Sequence, residues 1–109
     1  MVVAVCEADG TVAAVTAVLR YPHSMSFGHQ MDTAVVPAHR GHGLGLAIKV
    51  AMLRTLVDVW PELERIATGN APDNKYMLAI NQALGFRQLR ELLHAEIETA
   101  RLTAALAQL

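Results

Sequence analysis

The residue types with the clearest chemistry are the glycines in residues 33–45, Thr-Ala-Val-Val-Pro-Ala-His-Arg-Gly-His-Gly-Leu-Gly. Gly41, Gly43 and Gly45 fall where a β-branched run passes through Pro37 into a long helical periodicity. Glycines there let the backbone take positive φ and approach a ligand with no Cβ in the way. The helix that follows adds unpaired N–H groups and the positive end of its dipole, so the turn predicts an anion site, with phosphate as the obvious occupant. Two familiar phosphate loops are excluded by spacing. A nucleotide-binding loop ends in Gly-Lys-Ser/Thr, and the nearest lysine, Lys49, lies a helical turn too late. A dinucleotide fingerprint needs Gly-x-Gly-x-x-Gly after the first strand of a βαβ unit, whereas these glycines recur every second residue.

Arg40-x-x-Gly43-x-Gly45 instead resembles the Arg/Gln-x-x-Gly-x-Gly/Ala pyrophosphate loop of the GNAT superfamily of acetyl-CoA-dependent N-acyltransferases. Residues 70–86, Asn-Ala-Pro-Asp-Asn-Lys-Tyr-Met-Leu-Ala-Ile-Asn-Gln-Ala-Leu-Gly-Phe, are similar to the family's later motif, in which an asparagine opens a helix ending in Leu-Gly-Phe. The two blocks stand in the family's order and at about its distance, and the resemblance spans roughly residues 2–86. It implies an α/β (α+β) fold, a mixed, mainly antiparallel sheet with helices on its faces. It also implies acetyl-CoA as cosubstrate and transfer of the acetyl group to an amine by direct attack. The pyrophosphate would sit on the amides of Arg40, Gly41, His42, Gly43, Leu44 and Gly45. The pantetheine arm would lie in a splay between two central strands. A bulged backbone amide, by position that of Val35, would meet the thioester carbonyl, and Thr33 would offer further backbone contacts. Asn70 and Asn74 would face the arm, although both also suit turn formation and capping.

The resemblance departs from the family at two places. Family enzymes often carry a tyrosine as general acid seven residues after the position of Asn74, and here that place holds Asn81, whose amide cannot donate a proton as an acid. Tyr76 lies five residues earlier on another face of the helix and is expected to be surface or core filling. The family also usually begins with a strand and two helices, whereas this chain starts at what looks like the second strand. The expectation is a fragment, one half of a tandem-domain protein, or a chain completed by a second copy. A CoA-binding module without efficient catalysis is the rival reading.

For a general base, Asp32 at the start of the third strand is the first candidate and the loop residue His29 the second. His39 and His42 flank the turn and read as solvent-facing. The five histidines show no zinc spacing, and Cys6 sits on an apolar strand with no adjacent base, so no metal site and no thiol nucleophile are expected.

These groups need a scaffold. Residues 2–7 and 11–20 read as strands joined by a two-residue turn at Asp9-Gly10. Residues 21–29 read as a loop on account of Pro22, Ser24, Ser26 and Gly28, and residues 30–36 as the third strand. Leu44, Ile48, Ala51, Met52 and Leu56 recur at helical spacing, placing a helix over about 46–58 before Pro61. Residues 65–68 read as a short strand. Asp73 would cap a helix carrying Met77, Ile80 and Leu84, which Gly85 would end. Residues 86–92 can form a further strand; from Glu91 onward strong helix formers carry a helical stripe and read as a terminal helix, whereas the resemblance asks for a last strand, which residues 95–98 would supply before a helix after Glu98.

With 109 residues, the chain is one domain that buries about two thirds of its unfolded surface. Its 53% hydrophobic and 17% charged residues suggest a face hidden in an oligomer or against an upstream partner domain, and the first hairpin strand would otherwise be an open apolar edge. A net charge of −1 argues against a nucleic-acid partner, and no apolar run approaches the ~20 residues of a membrane span. The opening Met-Val-Val-Ala lacks a signal peptide's charged region, which makes the cytoplasm the default location.

Overall fold

A computed structural model describes residues 1–93 and 95–109. The two apolar β-branched runs at the start form antiparallel strands β1 (Val2–Val5) and β2 (Val12–Leu19). Their connection is longer than the expected two-residue turn. Cys6 N–H donates to Thr11 C=O and Gly10 N–H to Cys6 C=O, both at 2.8 Å, which closes a four-residue loop over 7–10. Gly10 takes φ +74°, and Asp9 Oδ1 accepts from the amide and the hydroxyl of Thr11 at 3.0 and 2.7 Å. Those bonds hold the Asp9 carboxyl below its usual pKa, the backbone bond from Thr11 first among them.

Strand β3 (Phe27–Val35) begins three residues before the expected start at Gln30. Its first residues gain a partner that lies far away in sequence: Phe27, Gly28 and His29 pair in parallel with β4 (Arg65–Ala67). Gly28 is therefore a strand residue. A Cβ there would stand 3.1 Å from Trp60 Cζ3 and 3.2 Å from Val18 Cγ1, so its absence makes room for the core. The described sheet has the order β1-β2-β3-β4, antiparallel but for its last pair.

Helix α1 (Leu44–Val59) lies on this sheet through Ile48, Met52 and Leu56, each one helical turn from the next. Met52, Leu56 and Trp60 form the core, with Val2, Val18, Leu53, Leu63 and Ile66 packed around them. Each fully buried side chain of this size stabilises the fold by about 1.5–3 kcal/mol before entropy is counted. Trp60 satisfies its indole N–H on Met25 C=O at 2.8 Å, and Arg20 stacks 4.7 Å from its ring centroid. Helix α2 (Lys75–Ala83) is capped by Asn74, not by the expected Asp73: Asn74 Oδ1 accepts from Met77 N–H at 3.2 Å. It ends as predicted at Gly85, where φ is +91°.

Helix α3 (Thr99–Leu106) follows Glu98 as expected, and none of its residues is buried. The strands expected over 86–92 and 95–98 are not formed by the described residues there. Between Arg87 and Leu93 no residue is β-branched, so the run has little strand propensity with which to pair. Its residues 87–93 are exposed, and the radius of gyration is 18.3 Å, against about 13 Å for a compact chain of this length. No helix among the described residues is long and apolar enough to cross a membrane.

Candidate functional site

Strands β3 and β4 stay paired only as far as His29 and Ala67. Beyond that point β3 runs on to Val35 while the chain after β4 turns away through Thr68, Gly69 and Asn70, and a cleft of about 340 Å³ opens between them. Asp32 and Thr33 from β3, Lys49 from α1 and Asn70, Asn74 and Met77 from the far wall all line it. The splay thus brings together two expected arm-facing asparagines, the first base candidate and Thr33. His29, the second base candidate, stands at its closed end.

A break in register shapes the β3 wall. Thr16 pairs with Thr33 and Val18 with Gln30, so two steps along β2 match three along β3, and the extra residue falls at Met31–Asp32. The bulge is therefore not at Val35, where it was expected. Gln30 sits at this break, and its buried side-chain amide donates to Ala17 C=O, Met31 C=O and Thr16 Oγ1 at 2.7, 3.0 and 2.8 Å. The two carbonyls among these acceptors lie at the break in the ladder. Val36 N–H donates to Ala13 C=O at 2.9 Å, and amides alternate along a strand, so the N–H groups of Val35 and Thr33 face the open edge.

The glycine turn joins this edge to α1. Pro37–His39 form a 3-10 turn, and Arg40 Nε donates to Val35 C=O at 2.9 Å, tying the turn to the end of β3. Gly41 and Gly43 take φ of +83° and +75°, with open space where a Cβ would project. Gly43 is the N-cap of α1, and no side chain caps the helix, so its first N–H groups keep their capacity for an anion. Gly45 is a different case from the positive-φ residue expected. It is helical, and a Cβ there would stand 3.0 Å from Ile80 Cδ1 and 3.1 Å from the Tyr76 hydroxyl, so it serves the close approach of α2 to α1. Tyr76 is 56% exposed, in keeping with its surface reading. His42 is exposed and His39 partly so, with His42 Nδ1 3.2 Å from His39 C=O.

Lys49, which lines the cleft, has a buried partner that sequence reasoning did not connect to it. Lys49 is only 2% exposed, and its ammonium donates to Asn81 Oδ1 at 2.6 Å. It also stands 5.8 Å from the centroid of the Phe86 ring, while Phe86 N–H donates to Asn81 C=O at 2.9 Å. Burial pushes the Lys49 pKa down, with no opposing charge contributing. Because an ammonium can only donate, the Asn81 amide is oriented with its oxygen toward Lys49, and its Nδ2 is buried without a hydrogen-bond partner among the described residues. The signal was available: Lys49 falls four residues after Gly45 and three before Met52, a charge on an apolar stripe.

Comparison with solved structures supplies the family. A tandem GNAT protein from the clavulanic acid biosynthesis pathway superposes with a TM-score of 0.71 and 38% identity over 74% of this chain. The chain belongs to the GNAT superfamily. It spans a quarter of that tandem GNAT protein. Two further GNAT structures share the fold: an aminoglycoside N-acetyltransferase solved with CoA (TM-score 0.64, 19% identity, 86% of this chain and 73% of that one) and the glucosamine-6-phosphate N-acetyltransferase of Arabidopsis thaliana (0.66, 17%, 88% and 65%). No protein-family model and no curated protein matches the chain. Within the GNAT fold, the splay of β3 and β4 and the glycine turn are the features that bear on a ligand.

Proposed function

We propose that this GNAT chain binds acetyl-CoA and transfers its acetyl group to an amine by direct attack. One observation carries the reading: a strand edge with free amides, a polar cleft and an uncapped helix N-terminus lie in continuous order along β3, the turn and α1. The pyrophosphate is assigned to the amides of Arg40, Gly41, His42, Gly43, Leu44 and Gly45, where the positive helix end favours anions. Open space at Gly41 and Gly43 fits the close approach of a phosphate group. The pantetheine arm is assigned to the edge offered by Thr33 and Val35 and to Asn70 and Asn74 across the cleft. The N–H of Val35 would polarise the thioester carbonyl, worth about 3–4 kcal/mol in the transition state for a well-placed donor. Asp32, at the bulge and open to solvent, would take the proton of the incoming amine.

A second reading, a CoA-binding domain within a larger assembly, is favoured by Asn81 at the family's tyrosine position and by the likeness to a tandem GNAT protein, of which this chain spans a quarter. Release of free CoA thiol, followed with a panel of small amines and peptide N-termini, separates the two. Turnover with any acceptor supports transfer. Saturable CoA binding with no turnover across the panel supports the binding domain.

A further inference from the structure

We infer that Lys49 is the proton donor to the departing CoA thiolate, in the place where family enzymes often use a tyrosine. The inference rests on the acetyl-CoA reading above. Four observations converge on it. Lys49 lines the cleft together with Thr33 and Met77, the groove to which the arm is assigned. Its ammonium is bonded at 2.6 Å to Asn81, the residue that stands where the resemblance expects a tyrosine. The Phe86 ring and Asn81 Oδ1 hold it from two sides, which fixes the direction of a long, flexible side chain. Among the described residues no carboxylate contributes to its lowered pKa, which burial causes.

A purely structural role is a poor account of this arrangement. Burying an ammonium against one neutral amide costs stability, and two apolar residues of similar volume would join α1 to α2 without that cost. The burial has a chemical consequence instead. It lowers the Lys49 pKa from its ordinary 10.5, so the ammonium gives up its proton more readily than a solvated lysine does. The amine nitrogen forms its bond to the carbonyl carbon and the C–S bond breaks with its electron pair on sulfur. Lys49 Nζ passes one proton to that sulfur, giving the free thiol, and solvent returns a proton to Nζ. The proton lost by the attacking amine goes to Asp32 or water, so the sum is amine plus thioester to amide plus thiol. Among the described residues, the other titratable groups lining the cleft are His29 and Asp32 on β3, and Tyr76 on α2 packs one helical turn away against Gly45.

The test compares wild type with Lys49→Met and with Lys49→Met/Asn81→Leu, which removes both polar partners and protects folding. CoA and desulfo-CoA are titrated by calorimetry, and the thiol of bound CoA is titrated by its thiolate absorbance. In the wild type the bound thiol should ionise about 1 unit or more below free CoA, as a cation within a few ångströms requires. Both variants should return it to the free value. Their affinity for desulfo-CoA should stay within about 3-fold, and kcat for an accepted amine should fall ~100-fold or more. A bound thiol that titrates alike in wild type and variants, or a kcat within about 3-fold in the double variant, would overturn the role of Lys49. Failure of CoA and desulfo-CoA alike to bind the wild type would overturn the acetyl-CoA reading on which it rests.

Discussion

Replacing Gln30 by methionine keeps the length and shape of a buried side chain and removes two N–H donors. Three acceptors share those donors: Thr16 Oγ1, Ala17 C=O and Met31 C=O. Thr16 loses least, since its hydroxyl keeps Thr33 Oγ1 at 2.8 Å. The two carbonyls sit at the register break between Thr16/Val18 and Thr33/Gln30, where no ladder partner replaces the lost bond. A net hydrogen bond contributes about 1 kcal/mol and an orphaned, partly buried carbonyl costs about 1–3 kcal/mol, so the substitution should destabilise by about 2–4 kcal/mol. With an m-value of about 1.5 kcal/mol/M, the urea midpoint should fall by about 2 M at unchanged slope. Gln30→Glu tests the same point differently, because a carboxylate offers no donor to either carbonyl and should be at least as damaging. Circular dichroism during urea unfolding measures both. A midpoint within about 0.3 M of wild type for Gln30→Met would show that Gln30 does not hold the bulge.

Other consequences are as direct. Gly45→Ala overpacks against Ile80 and Tyr76 by about 1–3 kcal/mol and gains about 1 kcal/mol of helix propensity, so it should destabilise by up to about 2 kcal/mol, and Gly45→Ala/Ile80→Val should recover that loss in the same unfolding assay. The Lys49 pKa is lowered by folding, so between that lowered value and 10.5 the unfolded state binds more protons and stability must rise with pH. The urea midpoint of wild type should therefore gain on that of Lys49→Met/Asn81→Leu as pH is raised from 7 toward 10, and a constant difference would contradict the burial of a charge. Strand β1 is an edge of the described sheet and exposes Val3 and Val5, so analytical ultracentrifugation should show self-association that Val3→Lys weakens. A wild-type monomer at every concentration would refute that.

What the chain disclosed on reading depended on how local the cause was. The glycine turn was legible because Gly41 and Gly43 answer to their own φ angles and to the helix they precede. Gly45 lies inside α1 and not in the turn, and its reason was not legible because its close neighbours Tyr76 and Ile80 come from a distant helix. The start of β3 at Phe27 is hidden in the sequence because Ser26 and Gly28 look like loop residues, and only the pairing of Phe27–His29 with β4 makes that stretch a strand. The bulge belongs to the relation between β2 and β3, and a single strand's sequence does not contain it. Asp73 and Asn74 are both good caps, so only the geometry chooses Asn74. Lys49 and Asn81 are 32 residues apart, and neither announces the other.

The central claim is that the turn over residues 40–45 holds the pyrophosphate of CoA, and calorimetric titration of CoA into wild type, Gly43→Asp and Gly43→Asn tests it most directly. Gly43 has φ +75° and open space around it, and asparagine and aspartate tolerate that conformation about equally, so the two variants share any backbone strain and differ in charge. Wild type should bind one CoA per chain and Gly43→Asn should bind it more weakly. Gly43→Asp, which sets a carboxylate against the phosphates, should lose about 10-fold or more beyond Gly43→Asn, a coupling of about 1.4 kcal/mol. Equal CoA affinity in Gly43→Asp and Gly43→Asn, with both folded, would contradict the account.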